Sequence, residues 1–325
     1  MKSSERPRSK KDSVPDPVKL HRLHERLDWN LLRTFQVVAL ERNLTRAAIQ
    51  LHVTQSAVSQ ALRRLEHFVG CKLIVRRGNT MVLTKTGENV YRIASETYRA
   101  VRGIGDAVVG SDGNEVGTVR LLTISGVESE TYDAFLRQFH VRYPRIRLEI
   151  LPASSQDIVN TVLQNTGAIG LGLLKNEHPN LGHFLLIRQR YAFYCGPHHP
   201  LFGRADIRPE ELQTEDFVTF QAEMLGGPLA SLVFFRDMKG FSGQTTGISP
   251  SYREVRRLIL AGFGIGCIPE HIARKDEERR LLWRLPPDEG VAEANIHFLW
   301  NRQARYSKAE EIFISMLTET LSSGE

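Results

Sequence analysis

Residues 55–64, QSAVSQALRR, carry the side chains of this chain best suited to a chemical task, and that task is contact with nucleic acid. On a helical wheel Ser56, Gln60 and Arg63 share one face, flanked by Gln55, Ser59 and Arg64. Amide and guanidinium groups can form paired hydrogen bonds with base edges, hydroxyls can donate or accept, and cations meet phosphates. A solvated surface helix would show a similar polar face, so the neighbouring residues must separate the two readings.

The elements that would position this face are legible around it. Opposite it, Val58, Leu62, Leu65 and Val69 recur at spacings of four, three and four, a narrow apolar stripe for burial. Thr54 is placed to cap a helix from Gln55 to about Phe68. Thr45 is placed to cap a shorter one from Arg46 to about His52, with Val53 in the turn between them. Asp28 is a candidate cap for an opening helix, Trp29 to Glu41. Beyond the second helix, residues 72–86, KLIVRRGNTMVLTKT, break at Gly78-Asn79, a hairpin signal. A basic hairpin there acts as a wing, with Arg76, Arg77 and Lys85 against phosphates or in the minor groove. Thr54, Gln55, Ser56, Ser59, Gln60, Arg63, Arg64, Arg76, Arg77 and Lys85 form the expected DNA-contacting set.

These same residues carry a resemblance. Residues 28–110 resemble the amino-terminal region of LysR-type transcriptional regulators. The shared features are a Leu-x-x-Phe helix core (Leu31, Leu32, Phe35) and the stretch from Leu44 to Ser59. Leu65, Glu66 and Gly70 follow, then the basic wing, then Leu83, Thr84 and Gly87. The match is ordered and free of gaps. Gln60 stands where a basic residue is frequent, and Cys71-Lys72 replaces a more usual small or Pro-containing pair. The first departure bears on which sequence is read. The resemblance implies a winged helix-turn-helix domain, double-stranded DNA as partner, self-association as a dimer or tetramer, and a regulatory domain that takes a small-molecule effector. RNA polymerase is a further candidate partner.

Charge follows the same division. Residues 1–100 carry 19 Lys and Arg against 9 Asp and Glu, whereas residues 101–325 carry 24 against 28. The positive excess therefore sits with the helix-turn-helix, as expected of a nucleic-acid-binding domain joined to a domain with another job. Hydrophobic content of 41% and charged content of 25% are those of a globular protein. No apolar run approaches the ~20 residues that span a bilayer, and the polar first 27 residues lack a secretory apolar segment. A cytoplasmic protein without membrane contact is expected.

From Gly87 to about Val108 the residues Val90, Ala94, Thr97, Val101, Ile104 and Val108 keep a period of 3.5, a heptad seam. Such a helix spans roughly 33 Å and needs a partner surface, either the same helix of a second subunit or its own domain. Gly110, Ser111, Asp112 and Gly113 form a hinge-like break. From Thr118 strands and helices alternate, implying parallel sheets faced by helices. A second such unit starts near Arg190. The strand Ala294–Trp300 and helix Lys308–Leu321 come after it and are read as returning to the first lobe. The expected fold is α+β multidomain: a winged helix-turn-helix, a long linker helix, and a two-lobed α/β domain of periplasmic-binding-protein type. A fainter LysR-type resemblance continues through GPHHPLFGR (196–204) and AGFGIGCIPE (261–270). The domains are a disordered basic extension (1–27), the DNA-binding domain (28–86), the dimerisation helix and hinge (87–113) and the regulatory domain (114–325). Its lobe I takes about 114–187 and 292–325, and lobe II about 188–291.

Other constellations carry no chemistry. His198 and His199 are adjacent, so on an extended segment they point apart, and the resemblance places them on a surface loop. GFGIG (262–266) follows a helix and precedes a strand, the reverse of a dinucleotide loop. Ser125 lies in no nucleophile elbow. Cys71, Cys195 and Cys267 lack metal-ligand spacing, and the latter two read as buried inert thiols. No catalytic residue, metal or cofactor is expected. A two-lobed enzyme with an assembly module needs neither the polar helix face nor the wing, and a purely architectural DNA binder leaves the α/β domain unexplained. What remains is a ligand cleft between the lobes, at the carboxyl ends of strands and the N-termini of helices. Thr123, Ser125, Ser129, Ser154, Ser155, Gln221, Ile248 and Ser249 are the expected effector contacts, though N-capping alone would explain each Ser or Thr. Glu128 and Glu130 would compete with a carboxylate effector for one helix N-terminus, which leaves neutral, cationic and amphipathic effectors open.

Overall fold

The first three helices begin where a short polar side chain can accept otherwise unpaired N–H groups. The computed structural model describes residues 27–77, 80–109, 115–164 and 167–322. In it α1 (Trp29–Glu41) is capped by Asp28, α2 (Leu44–Leu51) by Asn43 and α3 (Gln55–Val69) by Thr54. The cap of α2 corrects the expected one. Asn43 Oδ1 accepts from Thr45 N at 2.9 Å and Arg46 N at 3.1 Å, so Thr45 lies inside the helix. An Asn oxygen reaches the second and third N–H groups from extended backbone, leaving Thr45 no cap to make. Helix α3 stops at Gly70, whose left-handed conformation (φ 82°) lets its N–H return to Glu66 O.

Strands β1 (Ile74–Arg77) and β2 (Thr80–Leu83) form the antiparallel wing, Ile74 opposite Leu83. The expected Gly78-Asn79 turn lies outside the described residues, as do residues 1–26, the break at Gly110–Gly113, and the side chains of Arg77, Ile104 and Val108. Helix α4 (Lys85–Val109) follows directly. Its first turns belong to this unit: Tyr91 and Ala94 join Phe35, Val38 and Leu65 in one core, and Val90 packs against it. Ala94, at 2% exposure, is thus removed from the expected seam. A 3.5 period does not say which surface covers it, and the domain's own core lies nearest. Ile93, Tyr98 and Val101 are the large apolar side chains of α4 that stay exposed among those described.

The chain divides into two units at Arg102 and Gly103. The second unit holds two α/β lobes. Lobe I contains β3 (Gly117–Thr123), α5 (Glu130–Arg142), β4 (Ile146–Pro152), α6 (Ser155–Leu163), β5 (Ile169–Leu173) and β6 (Leu181–Ile187). Lobe II contains β7 (Arg190–Cys195), β8 (Phe217–Phe220), α7 (Ala230–Met238), β9 (Thr245–Ser249), α8 (Tyr252–Leu260), β10 (Ile265–Pro269), α9 (Glu270–Glu278), β11 (Trp283–Leu285) and β12 (Ala292–Glu293). The chain then returns to lobe I as β13 (Ile296–Asn301) and α10 (Lys308–Ser322). The lobe I sheet runs β4-β3-β5-β13-β6, with β3 parallel to β4 and β5 and with β13 antiparallel between β5 and β6. The lobe II sheet runs β11-β7-β10-β8-β9, β12 pairing with β7, so residues 292–293 belong to lobe II.

Two crossings join the lobes, and Gln189 ties them together. Its N–H donates to Asn295 Oδ1 at 3.2 Å, its amide to Ala294 O at 3.1 Å, and its carbonyl accepts from Ala294 N. Gln189 is 3% exposed, so these bonds satisfy a polar group that burial would otherwise penalise. Each lobe is filled by rings: Phe135, Phe139 and Phe298 around Phe313 in lobe I, and Phe193, Phe217 and Phe235 around Phe241 in lobe II.

Candidate functional site

The helix pair α2–α3 presents its polar face because the opposite stripe is buried. Val58, Leu62 and Leu65 pack into the core of their unit. Gln55, Ser56, Gln60, Arg63 and Arg64 are exposed, and Ser59 is half-buried. Thr54 caps α3 through Ala57 N at 3.2 Å and meets Ser56 Oγ at 2.9 Å, which fixes the start of the helix. Arg76 on β1 is exposed. Lys85 is exposed in the first turn of α4 rather than on a wing strand.

A buried carboxylate ties this helix to its wing. Glu66 is 6% exposed; Oε1 accepts from Leu73 N at 3.0 Å and Ile74 N at 3.4 Å, and Oε2 from Lys72 Nζ at 2.6 Å. Thr84 starts α4 by accepting from Gly87 N at 3.0 Å, while its own N–H donates to Leu73 O at 2.9 Å. Gly87 is needed because a Cβ there would stand 2.0 Å from the Leu73 carbonyl oxygen. The Leu-Glu and Leu-Thr-x-x-Gly elements of the sequence are thus the two fastenings of the wing.

In the second unit a cleft of about 850 Å³ opens between the lobes. It brings together four of the expected contacts: Ser125, Ser154, Ser155 and Gln221. The other four stand off it. Thr123 Oγ1 donates to Ile124 O at the end of β3, and Ser129 caps α5. Ile248 is 58% exposed on edge strand β9, and Ser249 Oγ accepts from Ser251 N. The stretch 245–249 pairs with β8 as a strand, so it does not present its residues at a helix start. Glu128 also lies outside the cleft and meets Lys275 Nζ at 3.1 Å.

Three of the four residues at the cleft already have side-chain partners. Ser155 Oγ accepts from Leu173 N at 3.2 Å, and Ser154 Oγ donates to Asp157 Oδ2 at 2.7 Å while accepting from Asp157 N. Ser125 reaches across the cleft: its Oγ accepts from Tyr252 N at 3.3 Å, capping α8 from the opposite lobe. Gly126 beside it has φ +78° and lies against Tyr252, where an added Cβ would approach the tyrosine Cβ to 2.9 Å and its ring to 3.1 Å. Sequence reasoning missed Asp157, Gln189, Tyr191, Phe220, Tyr252 and the Met224–Gly227 loop, all of which line the cleft. Met224-Leu225-Gly226-Gly227, two large apolar residues beside two glycines, carried a usable signal. Gln189 and Tyr191 carried none, since only topology puts them there. Burial pushes the Tyr252 phenol up to about 12, and burial with the charge of Glu223 holds Tyr191 still higher, so both stay neutral.

His199, expected on a surface loop, is 8% exposed, its Nδ1 accepting from Leu201 N and its Nε2 3.2 Å from Glu215. It closes a turn of lobe II. Burial pushes the Cys195 thiol up to about 12 and raises that of Cys267 well above the usual thiol range, so neither is a ready nucleophile. Among the described residues no helix is long and apolar enough to cross a membrane.

Comparison with known proteins covers both units. Residues 29–88 match the family model described as "Bacterial regulatory helix-turn-helix protein, lysR family", and residues 112–322 that described as "LysR substrate binding domain". The HTH-type transcriptional regulator AlsR of Bacillus subtilis is 28% identical over 246 residues, 73% of this chain and 79% of that one. The RuBisCO operon transcriptional regulator of Allochromatium vinosum is 26% identical over 287 residues, 87% and 92% of the two chains. Among solved structures, CbnR, a LysR family transcriptional regulator, superposes with a TM-score of 0.58 at 16% identity, covering 91% of this chain and 99% of that one.

Proposed function

The chain belongs to the LysR family of DNA-binding transcriptional regulators, and from that premise we propose how it reads DNA, assembles and is switched. It is a regulator rather than an enzyme, with a helix-turn-helix for DNA and a domain for an effector. Helix α3 enters the major groove with Gln55, Ser56, Gln60 and Arg63 at base edges. Thr54, Ser59 and Arg64 border that face, and Arg76, Arg77 and Lys85 meet phosphates or the minor groove. The observation that carries this reading is the exposed face of α3, five polar side chains opposite the buried Val58, Leu62 and Leu65.

The test starts from a duplex selected out of a random-sequence library by the full-length protein. Fluorescence anisotropy then compares that duplex with a random one. Gln60→Ala and Arg63→Ala are each expected to weaken the selected duplex by about 1–3 kcal/mol and the random one far less. Arg76→Ala is expected to weaken both alike and to flatten the salt dependence. Equal losses on both duplexes for Gln60→Ala and Arg63→Ala would remove base reading from this face.

Each helix-turn-helix reads one half-site, so the regulator acts as a homodimer or a tetramer of two such pairs. The dimer forms along the heptad of α4 on the side where Val101 is exposed, the sequence continuing that seam through Thr97, Ile104 and Val108; Val90 contributes its uncovered edge. Val101→Glu sets two carboxylates into that seam and is expected to cost about 2 kcal/mol or more of association. Sedimentation should show a weaker dimer; an unchanged dimer with full operator affinity would place the interface elsewhere. The small-molecule effector occupies the inter-lobe cleft and shifts lobe closure by its differential affinity for the two states. The regulator works on DNA in the cytoplasm, where RNA polymerase is its further proposed partner.

A further inference from the structure

Resting on the reading of the inter-lobe cleft as the effector site, we infer that its effector is a predominantly apolar small molecule carrying no negative charge. Three independent observations support this. Among the described residues that line the cleft there is no Lys, Arg or His, and the single ionisable carboxylate is Asp157. An anion entering would lose its water without gaining a counter-charge, and would meet a like charge.

At two helix starts, a backbone donor that could replace a cation is already taken. These are the starts of α6 and α8, whose first turns are bonded by cleft residues. In α6 the Asp157 N–H donates to Ser154 Oγ, and the Asp157 carboxylate itself lies in the first turn, where it offsets the helix dipole. In α8 the Tyr252 N–H donates across the cleft to Ser125 Oγ. At both helices one donor that an anion would use is therefore already committed, and at α6 the Asp157 carboxylate repels it as well.

The walls, in contrast, invite an apolar body. Ile124, Leu173, Phe220, Leu229 and Ile296 line the cleft, and Met224 (62% exposed) and Leu225 (76% exposed) stand on its lining loop. An apolar ligand would cover Met224 and Leu225, which now face water, against walls that are already apolar. For polar recognition the Ser125 and Ser155 hydroxyls, their oxygens having accepted backbone N–H groups, keep their own hydrogens to give to an acceptor, while Asp157 and Gln221 can accept from a donor.

The experiment uses probes matched in size and differing in charge: benzyl alcohol, benzylamine and benzoate, titrated into the full-length protein by calorimetry. Benzyl alcohol and benzylamine are expected to bind in the millimolar range and benzoate at least about tenfold more weakly. Gln156→Trp, an exposed position at the cleft, should block the neutral probes by filling the space. Asp157→Arg should reverse the order and favour benzoate. Benzoate binding as well as benzyl alcohol, with both lost in Gln156→Trp, would overturn the charge class while leaving the cleft as the effector site. Neutral binding untouched by Gln156→Trp would overturn the cleft itself. Failure of all three probes to bind would overturn the inference that an apolar ligand fits these walls.

Discussion

Replacing Gly87 with alanine is expected to unfold the wing of the DNA-binding unit and abolish operator binding. The added Cβ would stand 2.0 Å from Leu73 O, a backbone atom that already accepts from Thr84 N. Neither partner is the flexible end of a side chain, so relief requires α4 to shift away from the segment feeding β1. Overpacking of this kind costs about 3 kcal/mol or more, against which alanine returns roughly 1 kcal/mol of helix propensity. For a unit of this size the net loss lowers its melting temperature by roughly 10 °C or more. Calorimetry on the full-length protein, with hydrogen exchange over residues 55–90, checks both the size and the place of the effect. A variant with wild-type stability and protection would show that the Leu73 carbonyl does not lie against this glycine.

Glu66→Ala is expected to be nearly as damaging, for a different reason. It leaves the N–H groups of Leu73 and Ile74 buried without their acceptor. Each such group costs about 1–3 kcal/mol, so roughly 2–5 kcal/mol is at stake. Glu66→Gln keeps an acceptor oxygen and should restore most of that stability. Lys72→Ala removes a cation whose side chain is 69% exposed and should cost under about 1 kcal/mol. Urea denaturation of the three variants separates the contributions. If Glu66→Gln were as unstable as Glu66→Ala, the ion pair and not the backbone bonds would hold the wing. Because Arg76 rides on β1, loss of this fastening should also weaken binding to all duplexes alike.

The recognition helix was legible in the sequence because everything that defines it is local. A cap at Thr54, an apolar stripe and a terminating Gly70 lie within one stretch of chain and needed no knowledge of the rest. The same holds for the alternation of strands and helices in the two lobes, and for the return of the last strand, which does insert between β5 and β6. Elements defined by a distant partner escaped notice. Strand β12 exists only through its pairing with β7, and α9, EHIARKDEE, shows too little apolar content to announce a helix. The heptad on α4 recorded that a face is covered without recording by what; tertiary packing assigned Ala94 to the domain's own core and left Val101 exposed. In the cleft the sequence supplied hydroxyls at helix starts, and the fold decided which of them meet. Ser125 and Ser155 line it, Ser129 only caps a helix, and Ile248 sits on a sheet edge. The charge of the cleft was equally hidden, because it depends on which loops of two lobes face one another. Spacing along the chain specifies a helix or a strand through neighbours a few residues apart. A binding site is specified by neighbours more than a hundred residues apart, as Ser125 and Tyr252 are, and only the folded packing brings those together.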